Sequence, residues 1–552
     1  MLAFRASVSF INSAMPDPSP RPKGLRAVRA AFKSPRTLAV SLLAFSSGMP
    51  LGLVWIAIPD WLRNSGIDIK TVGLVTLTQA PWTFKVLWAP LMDRYAPPWL
   101  GRRRGWAAIF QVVLLALTLL LAGVGNRPET PWVLLTLALA IAFASASQDI
   151  AIDAYSVDVL RPEEQGVAVG ARTSVYRFAM FLAGAMSISF AGWFGWPVTC
   201  AGLALLYLPM LAVTFWWSPE PAEKMPAPKT LRDAVWLPFL GFLGRSRSLE
   251  ILAFVCCYKL TDNLCLALLR PFLIDKGYTD LERGLILGTF SAFATIVGTA
   301  IGGILTTQIG LGNALWAFGI LQIFANAPYI LVARIGHNPP LMYAANVFEM
   351  LSGGMATGAF SVFLLRITQK RFSATQYALF SSLFGIPRIV SGPIAGAVVD
   401  AVGWEWFYWG SLAASLPGLL LLQRFAPFGV REPDFTVEAE RRHRPLGRGA
   451  IAARGVLGGV LALVFGAACL AALAGLKATH AAPGATTSAP EPFDFVRRFS
   501  ALLAPTEIRG FVSLAGLLVF AAFVGLATAA VFAGRRSGEP GTPPAQERRA
   551  PA

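Results

Sequence analysis

The chain has 552 residues, of which 55% are hydrophobic and only 14% charged. A soluble protein of this length would carry about a quarter charged residues, so a water-soluble globule is excluded and apolar side chains are expected to face lipid as well as a core. The net charge of +17 does not point to nucleic acid, because the basic residues sit in short loops between apolar runs.

Residues 1–36 hold seven Arg/Lys and several prolines without a signal-peptide pattern, and read as a cytoplasmic basic tail. Within it, Leu25–Phe32 has the alternatives of a short interfacial amphipathic helix or plain disorder. Twelve apolar runs of spanning length follow: 37–58, 70–92, 105–124, 131–154, 170–194, 196–217, 249–274, 282–304, 313–334, 340–366, 374–399 and 405–424. Two more, 455–476 and 511–534, make fourteen and predict both termini on one side. With the N-terminus inside, and span ends counted with their loops, inner segments hold 32 Arg/Lys and outer loops 10. That bias predicts cytoplasmic termini. The Pro-rich segment 218–248 divides the first twelve spans into halves, 37–217 and 249–424. The basic segment 425–454 separates off two additional helices within 455–534, and 535–552 is a cytoplasmic tail. The five cysteines lie in apolar segments, so neither disulfide nor metal is expected, and no cofactor.

The two halves repeat. Leu43-Ala44-Phe45 matches Leu252-Ala253-Phe254. Trp61-Leu62, Gly66 and Gly73 match Phe272-Leu273, Gly277 and Gly284. Val159-Leu160-Arg161 matches Leu364-Leu365-Arg366, and Gly195-Trp196 matches Gly403-Trp404. The offset stays between 205 and 211 residues, which predicts two parallel six-helix halves with a site between them, a transporter architecture.

The loop after span two reads Ala89-Pro90-Leu91-Met92-Asp93-Arg94, then Gly101-Arg102-Arg103-Arg104-Gly105. An Asp-Arg pair followed by Gly-Arg-Arg resembles the signature loop of the major facilitator superfamily, with Tyr95 to Leu100 inserted between its two parts. Asp93, Arg94, Gly101, Arg102 and Arg103 are the candidate cytoplasmic gate. Asp93 at a helix end can pair with arginines or with the positive end of a neighbouring helix. Alternatively, the arginines only mark the inner surface. Further segments are Ser47-Gly48-Met49-Pro50-Leu51, Phe84-Lys85-Val86-Leu87-Trp88, and Ser147-Gln148-Asp149-Ile150 with Asp153-Ala154. Together they resemble the AmpG muropeptide permease family, with acetyl-CoA transporters as more distant relatives. The resemblance covers most of 36–424. It implies an all-α polytopic membrane protein of the major facilitator fold that imports anhydromuropeptides, with protons, for cell-wall recycling. The two extra C-terminal spans also fit that family.

Charges inside a bilayer are expensive and mark function or pairing. Asp149 and Asp153 are four residues apart and share a helix face. At 1.5 Å per residue, Asp149 lies roughly 26 Å from the outer end of span four, level with Lys85 in span two and Arg177 in span five. Asp149 is the candidate proton-coupling carboxylate, with Asp153 as partner or exit relay. At a constant offset of 205 they correspond to Gly354 and Gly358, so the pair belongs to the first half alone. The alternative is a permanent ion pair such as Asp149–Arg177. A second layer, Lys259 and Asp262 in span seven, Glu349 in span ten and Arg388 in span eleven, is expected between the midplane and the outer half, with Asn263 of span seven as a candidate sugar contact. With Lys85, Gln148 and Arg177 these are the candidate substrate-cavity residues. Lys259 and Glu349 have the alternative of a structural bridge between halves, and Arg270 that of snorkelling to the outer interface. Arg388, in Gly385-Ile386-Pro387-Arg388, suits an anionic solute.

Nothing in the sequence supports an enzyme: there is no metal-ligand cluster, P-loop or nucleophile motif. The remaining alternatives are uptake of another acidic solute, such as a siderophore or acetyl-CoA, or a non-transporting sensor. The expected partners are a small anionic glycopeptide, protons and the lipid bilayer, with a monomer as the working unit and no nucleic acid.

Overall fold

The computed structural model describes residues 25–67, 75–125, 131–222, 225–243, 247–435, 447–479, 495–504 and part of 510–532. Among these residues ten helices are long and apolar enough to cross a membrane. They are Pro35–Asn64, Gly101–Ala122, Pro131–Val159, Gln165–Phe194, Trp196–Trp217, Ser248–Asp275, Asp280–Ile309, Leu311–Ile335, Pro339–Ile367 and Gly449–Ala471. They correspond to spans one, three to ten and thirteen. Spans eleven and twelve run through Ser373–Ala414, which turns at Gly403, and Leu416–Phe425. Span fourteen falls largely outside the described residues.

Span two is broken into Val75–Gln79, Ala80–Phe84, Lys85–Leu87 and Ala89–Arg94. Pro81 and Pro90 each remove an amide donor from the helical ladder. Irregular backbone at membrane depth persists only where it is buried in protein or lines a cavity, and the break sets Lys85 against span four.

The sequence repeat reappears as backbone geometry. Gly66, Gly101, Gly125 and Gly195 have φ of 84°, 73°, 83° and 81°, and Gly277, Gly310, Gly336 and Gly403 have 80°, 88°, 87° and 79°. Each glycine of the first set has its counterpart 208 to 211 residues later. An L side chain is strained at these angles, so the same helix ends are cut by the same residue type in both halves. Packing repeats as well. Trp61 stacks on Trp196 with ring centroids 4.7 Å apart, and the matched pair Phe272 and Trp404 meets at 5.0 Å.

Membrane helices gain little from hydrophobicity against one another, so close approach relies on small residues. A Cβ on Gly48 or Gly52 in span one would come within 2.1 Å of the Tyr176 or Met180 carbonyl in span five. Gly298 and Gly302 in span eight sit as tightly on Leu351 and Met355 in span ten. Between the halves, a Cβ on Gly166 in span five would lie 2.5 Å from the Gly303 carbonyl in span eight. One apolar cluster fills each half, around Trp61 and around Tyr408, and a third, containing Tyr155 and Phe360, joins both halves at the end that carries the Asp93 loop.

The short helix Leu25–Phe32 also lies at that end. Its Val28 and Ala31 bury themselves against Val167 of span five and Ile304 of span eight. Ser34 and Arg36 bond Glu164 at 2.9 and 3.2 Å, which anchors it to the first half.

Candidate functional site

Three polar constellations lie within or beside the spans. The first is a carboxylate cluster on span four. Asp153 receives Lys85 Nζ of span two on Oδ2 at 3.3 Å and bonds the Arg172 guanidinium of span five through Oδ1. Arg172 also reaches Ser156 Oγ at 3.5 Å, and its neighbours include Tyr377 from span eleven of the other half. Asp149, one turn earlier, has Lys85, Asp153, Ser47 and Arg172 around it. Its Oδ1 is buried without a hydrogen-bond partner among the described residues. The two acids thus differ: Asp153 is held by two cations, and Asp149 sits in their field with an unfilled acceptor.

Arg172 was hidden in the sequence by its place. It stands at the start of span five, where arginines ordinarily mark the membrane surface, so the sequence offered Arg177 instead, as the alternative ion-pair partner of Asp149. Arg177 is half-buried, five positions further along. Gln148, expected in the cavity, instead turns into the packing of the first half. Neighbouring helix residues point about 100° apart, so Gln148 cannot share the face of Asp149. It is fully buried and donates to Ser46 Oγ at 3.0 Å, in a chain continued by Gln111 and Thr214.

The second constellation lies in the second half. Lys259 Nζ pairs with Asp262 and donates to the Gly353 carbonyl at 2.9 Å. Asn263 donates to the Lys259 carbonyl at 2.8 Å. Glu349 is 2% exposed and accepts from the Tyr329 hydroxyl at 3.4 Å. A bridge between Lys259 and Glu349 is not formed: Lys259 is taken by the acid three residues along its own chain. Both residues also belong to the second half, so such a bridge would not join the halves. Arg270 is exposed near the end of span seven, as a snorkelling residue would be. The side chain of Arg388 lies outside the described residues.

The third constellation joins the halves. Asp93 is fully buried. Its Oδ1 meets Arg103 at 2.6 Å, and its Oδ2 accepts the Thr375 amide and hydroxyl at 2.8 and 2.6 Å. Thr375 stands in the first turn of the helix Ser373–Ala414, so a carboxylate of one half caps the positive end of a helix of the other. Arg103 additionally bonds Ser373 Oγ at 2.6 Å and Asp158 at 2.9 Å. Arg102 reaches the Asp93 carbonyl at 3.1 Å, and Gly101 begins the helix that carries both arginines. Arg94 stays outside this network and lies over the Tyr95 ring at 5.4 Å. Arg366 of the second half also crosses, bonding Gln165 and the Pro162 carbonyl of the first at 2.5 and 3.0 Å. At this end the two halves are therefore tied shut. Asp158, Ser373 and Thr375 were not legible as gate residues, because their roles depend on which helix start the loop meets.

Residues 40–392 match the family model of the Major Facilitator Superfamily. The chain is 41% identical over 393 residues to the anhydromuropeptide permease of Escherichia coli K12, a match covering 71% of this chain and 80% of that one. It is 30% identical over 409 residues to the putative transporter AmpG 4 of Rickettsia felis, covering 71% and 96%. Among solved structures, the human organic anion transporter MFSD10 (TETRAN) superposes with a TM-score of 0.51 at 15% identity, over 73% of this chain and all of that one. A bacterial homologue of the iron transporter ferroportin, in an outward-facing state, gives 0.51 at 14% identity, over 70% and 98%. At such identities these two likenesses concern the fold.

Proposed function

From the premise that the chain belongs to the major facilitator superfamily and, within it, to the AmpG permease family, we propose that it imports anhydromuropeptides across the bacterial inner membrane, driven by protons. As a member it is a multi-pass membrane transporter with a small-molecule substrate. The observation that carries the finer reading is the match to the E. coli permease across most of both chains, with Asp149, Lys85 and Asp153 brought together inside the span.

In this reading the Asp93 end is cytoplasmic, both termini lie there, and the monomer is the working unit. The closed state is the one described. Solute and proton enter from the other side while Asp93 and Arg103 hold the inner ends together. Asp149 carries the proton. Burial favours its neutral form, the cations beside it favour the carboxylate, and a change in their distance shifts the balance. Asp153, already paired twice, keeps Lys85 and Arg172 in place. Protonating Asp149 removes one negative charge, leaving Lys85 and Arg172 in excess over Asp153 and making the cavity attractive to an anionic peptide. Opening inward breaks the Asp93 cap, releases the solute and lets Asp149 lose its proton to the cytoplasm.

The test is uptake of labelled anhydromuropeptide into energised proteoliposomes, with and without an inward proton gradient. Accumulation that requires the gradient is expected. Accumulation indifferent to the gradient would exclude proton coupling, and no uptake would exclude this substrate.

A further inference from the structure

Glu349, like Asp262, is a buried acid that the coupling scheme leaves unused. It lies ten residues into Pro339–Ile367, roughly 15 Å from that helix's start, near the middle of a bilayer. Titratable groups of three other spans surround it. Span seven provides Lys259, Asp262 and Cys265, span nine Tyr329, and span twelve Tyr408. Tyr329 stacks on Tyr408 at 5.3 Å. The Tyr408 hydroxyl and Asn346 Nδ2, one turn before Glu349, are buried without hydrogen-bond partners among the described residues. Lys259 is bonded to Asp262 and to Gly353, one turn after Glu349 on the same helix.

Charge counting then decides. Lys259 is one cation serving two acids. With both acids ionised the group would be net negative at membrane depth, where an uncompensated charge is expelled or neutralised. One bound proton makes it neutral. We propose that Glu349 is a second proton-binding site of the transporter, with Lys259 shared between Asp262 and Glu349 so that whichever acid lacks Lys259 holds the proton. In the state described, Lys259 is on Asp262 and the proton is on Glu349. On rearrangement Lys259 moves to Glu349, the proton passes from the Glu349 carboxyl to the Asp262 carboxylate, and net charge is unchanged. As Lys259 returns to Asp262, Asp262 releases its proton and Glu349 takes up another, so the group carries no net charge at any stage. The Tyr408 hydroxyl, in the field of Glu349 and without a hydrogen-bond partner among the described residues, is available to stabilise Glu349 while it is ionised.

This rests on the proton-driven reading, and one measurement separates the two. Reversal potentials in proteoliposomes of the full chain give the number of protons coupled to each anhydromuropeptide. The Glu349→Gln variant is expected to lose one coupled proton per solute while solute exchange continues. If wild type shows no proton coupling, the functional reading fails. If wild type is coupled and Glu349→Gln keeps the same number, the second site is overturned. Should Glu349→Gln fold poorly, infrared difference spectra of wild type and Glu349→Asp read the carboxyl directly. A protonated-carboxyl band that shifts in the variant and bleaches during turnover supports the site. A band unchanged by turnover overturns it.

Discussion

Asp149 and Asp153 are one helical turn apart, yet they occupy different electrostatic positions. Asp153 bonds Lys85 and Arg172, and Asp149 leaves a buried oxygen unfilled. Removing one partner of a buried ion pair strands a charge and costs about 3–5 kcal/mol, so the two acids should respond differently to substitution. Asp149→Asn is expected to abolish gradient-driven accumulation and to leave solute exchange measurable; full pH-dependent uptake by this variant would exclude Asp149 as the carrier. Asp153→Asn strands Lys85 and Arg172 and is expected to lower thermal stability as well as transport, which a melting curve in detergent would show. Arg388→Ala is expected to lose solute binding while folding normally, and unchanged affinity would remove Arg388 from the site. Asp149 itself was legible, since a carboxylate in an apolar span stands out. The second cation on its neighbour Asp153 was not. Arg172 looks like an interface arginine until span five is laid beside span four.

At the scale of elements, the two halves meet through helices that nearly touch. Gly166 and Gly303 leave no room for a Cβ, so the closed contact between spans five and eight depends on both being glycine. Gly166→Leu would overpack that contact, at about 1–3 kcal/mol against the closed state. It is expected to slow uptake, and thiol labelling at the inner ends should show the closed population falling. The helix Leu25–Phe32 crosses the same seam, with Val28 and Ala31 clamped by Val167 and Ile304. Its amphipathic pattern was readable. Its docking on protein was not, because an apolar stripe does not say whether lipid or protein covers it. Span two is similar: its apolar length was readable, and only the surrounding helices show that it breaks and presents Lys85 to Asp153.

For the whole molecule, the balance between closed and open states is set where the halves are tied. Asp93 is bound on one side by Arg103 and on the other by Thr375 of the opposite half. Asp93→Asn keeps the shape but loses the charge, and at about 3–5 kcal/mol would shift the equilibrium by about two to three and a half orders of magnitude toward the opened end. In a cysteine-free background with Ser156→Cys, a membrane-impermeant thiol reagent applied from the cytoplasmic side is expected to label Asp93→Asn much faster than its parent. Equal rates would mean that the tie does not govern opening. Reporter fusions at the N-terminus test the orientation, and activity on the periplasmic side would reverse it.

The sequence by itself determined the solvent, ten of the apolar helices and the two-fold plan. Apolar run length is set by bilayer thickness, and repeat-matched glycines such as Gly66 and Gly277 cut the chain at equivalent helix ends. Its motifs also led to the superfamily and the permease family within it. Only the tertiary structure decided the partners. It put Arg172 on Asp153, Asp262 rather than Glu349 on Lys259, and Thr375 on Asp93. The physical reason is one of range. Span length and helix ends follow from local composition, whereas a buried charge settles on whichever counter-charge the packing of distant helices brings within a few ångströms.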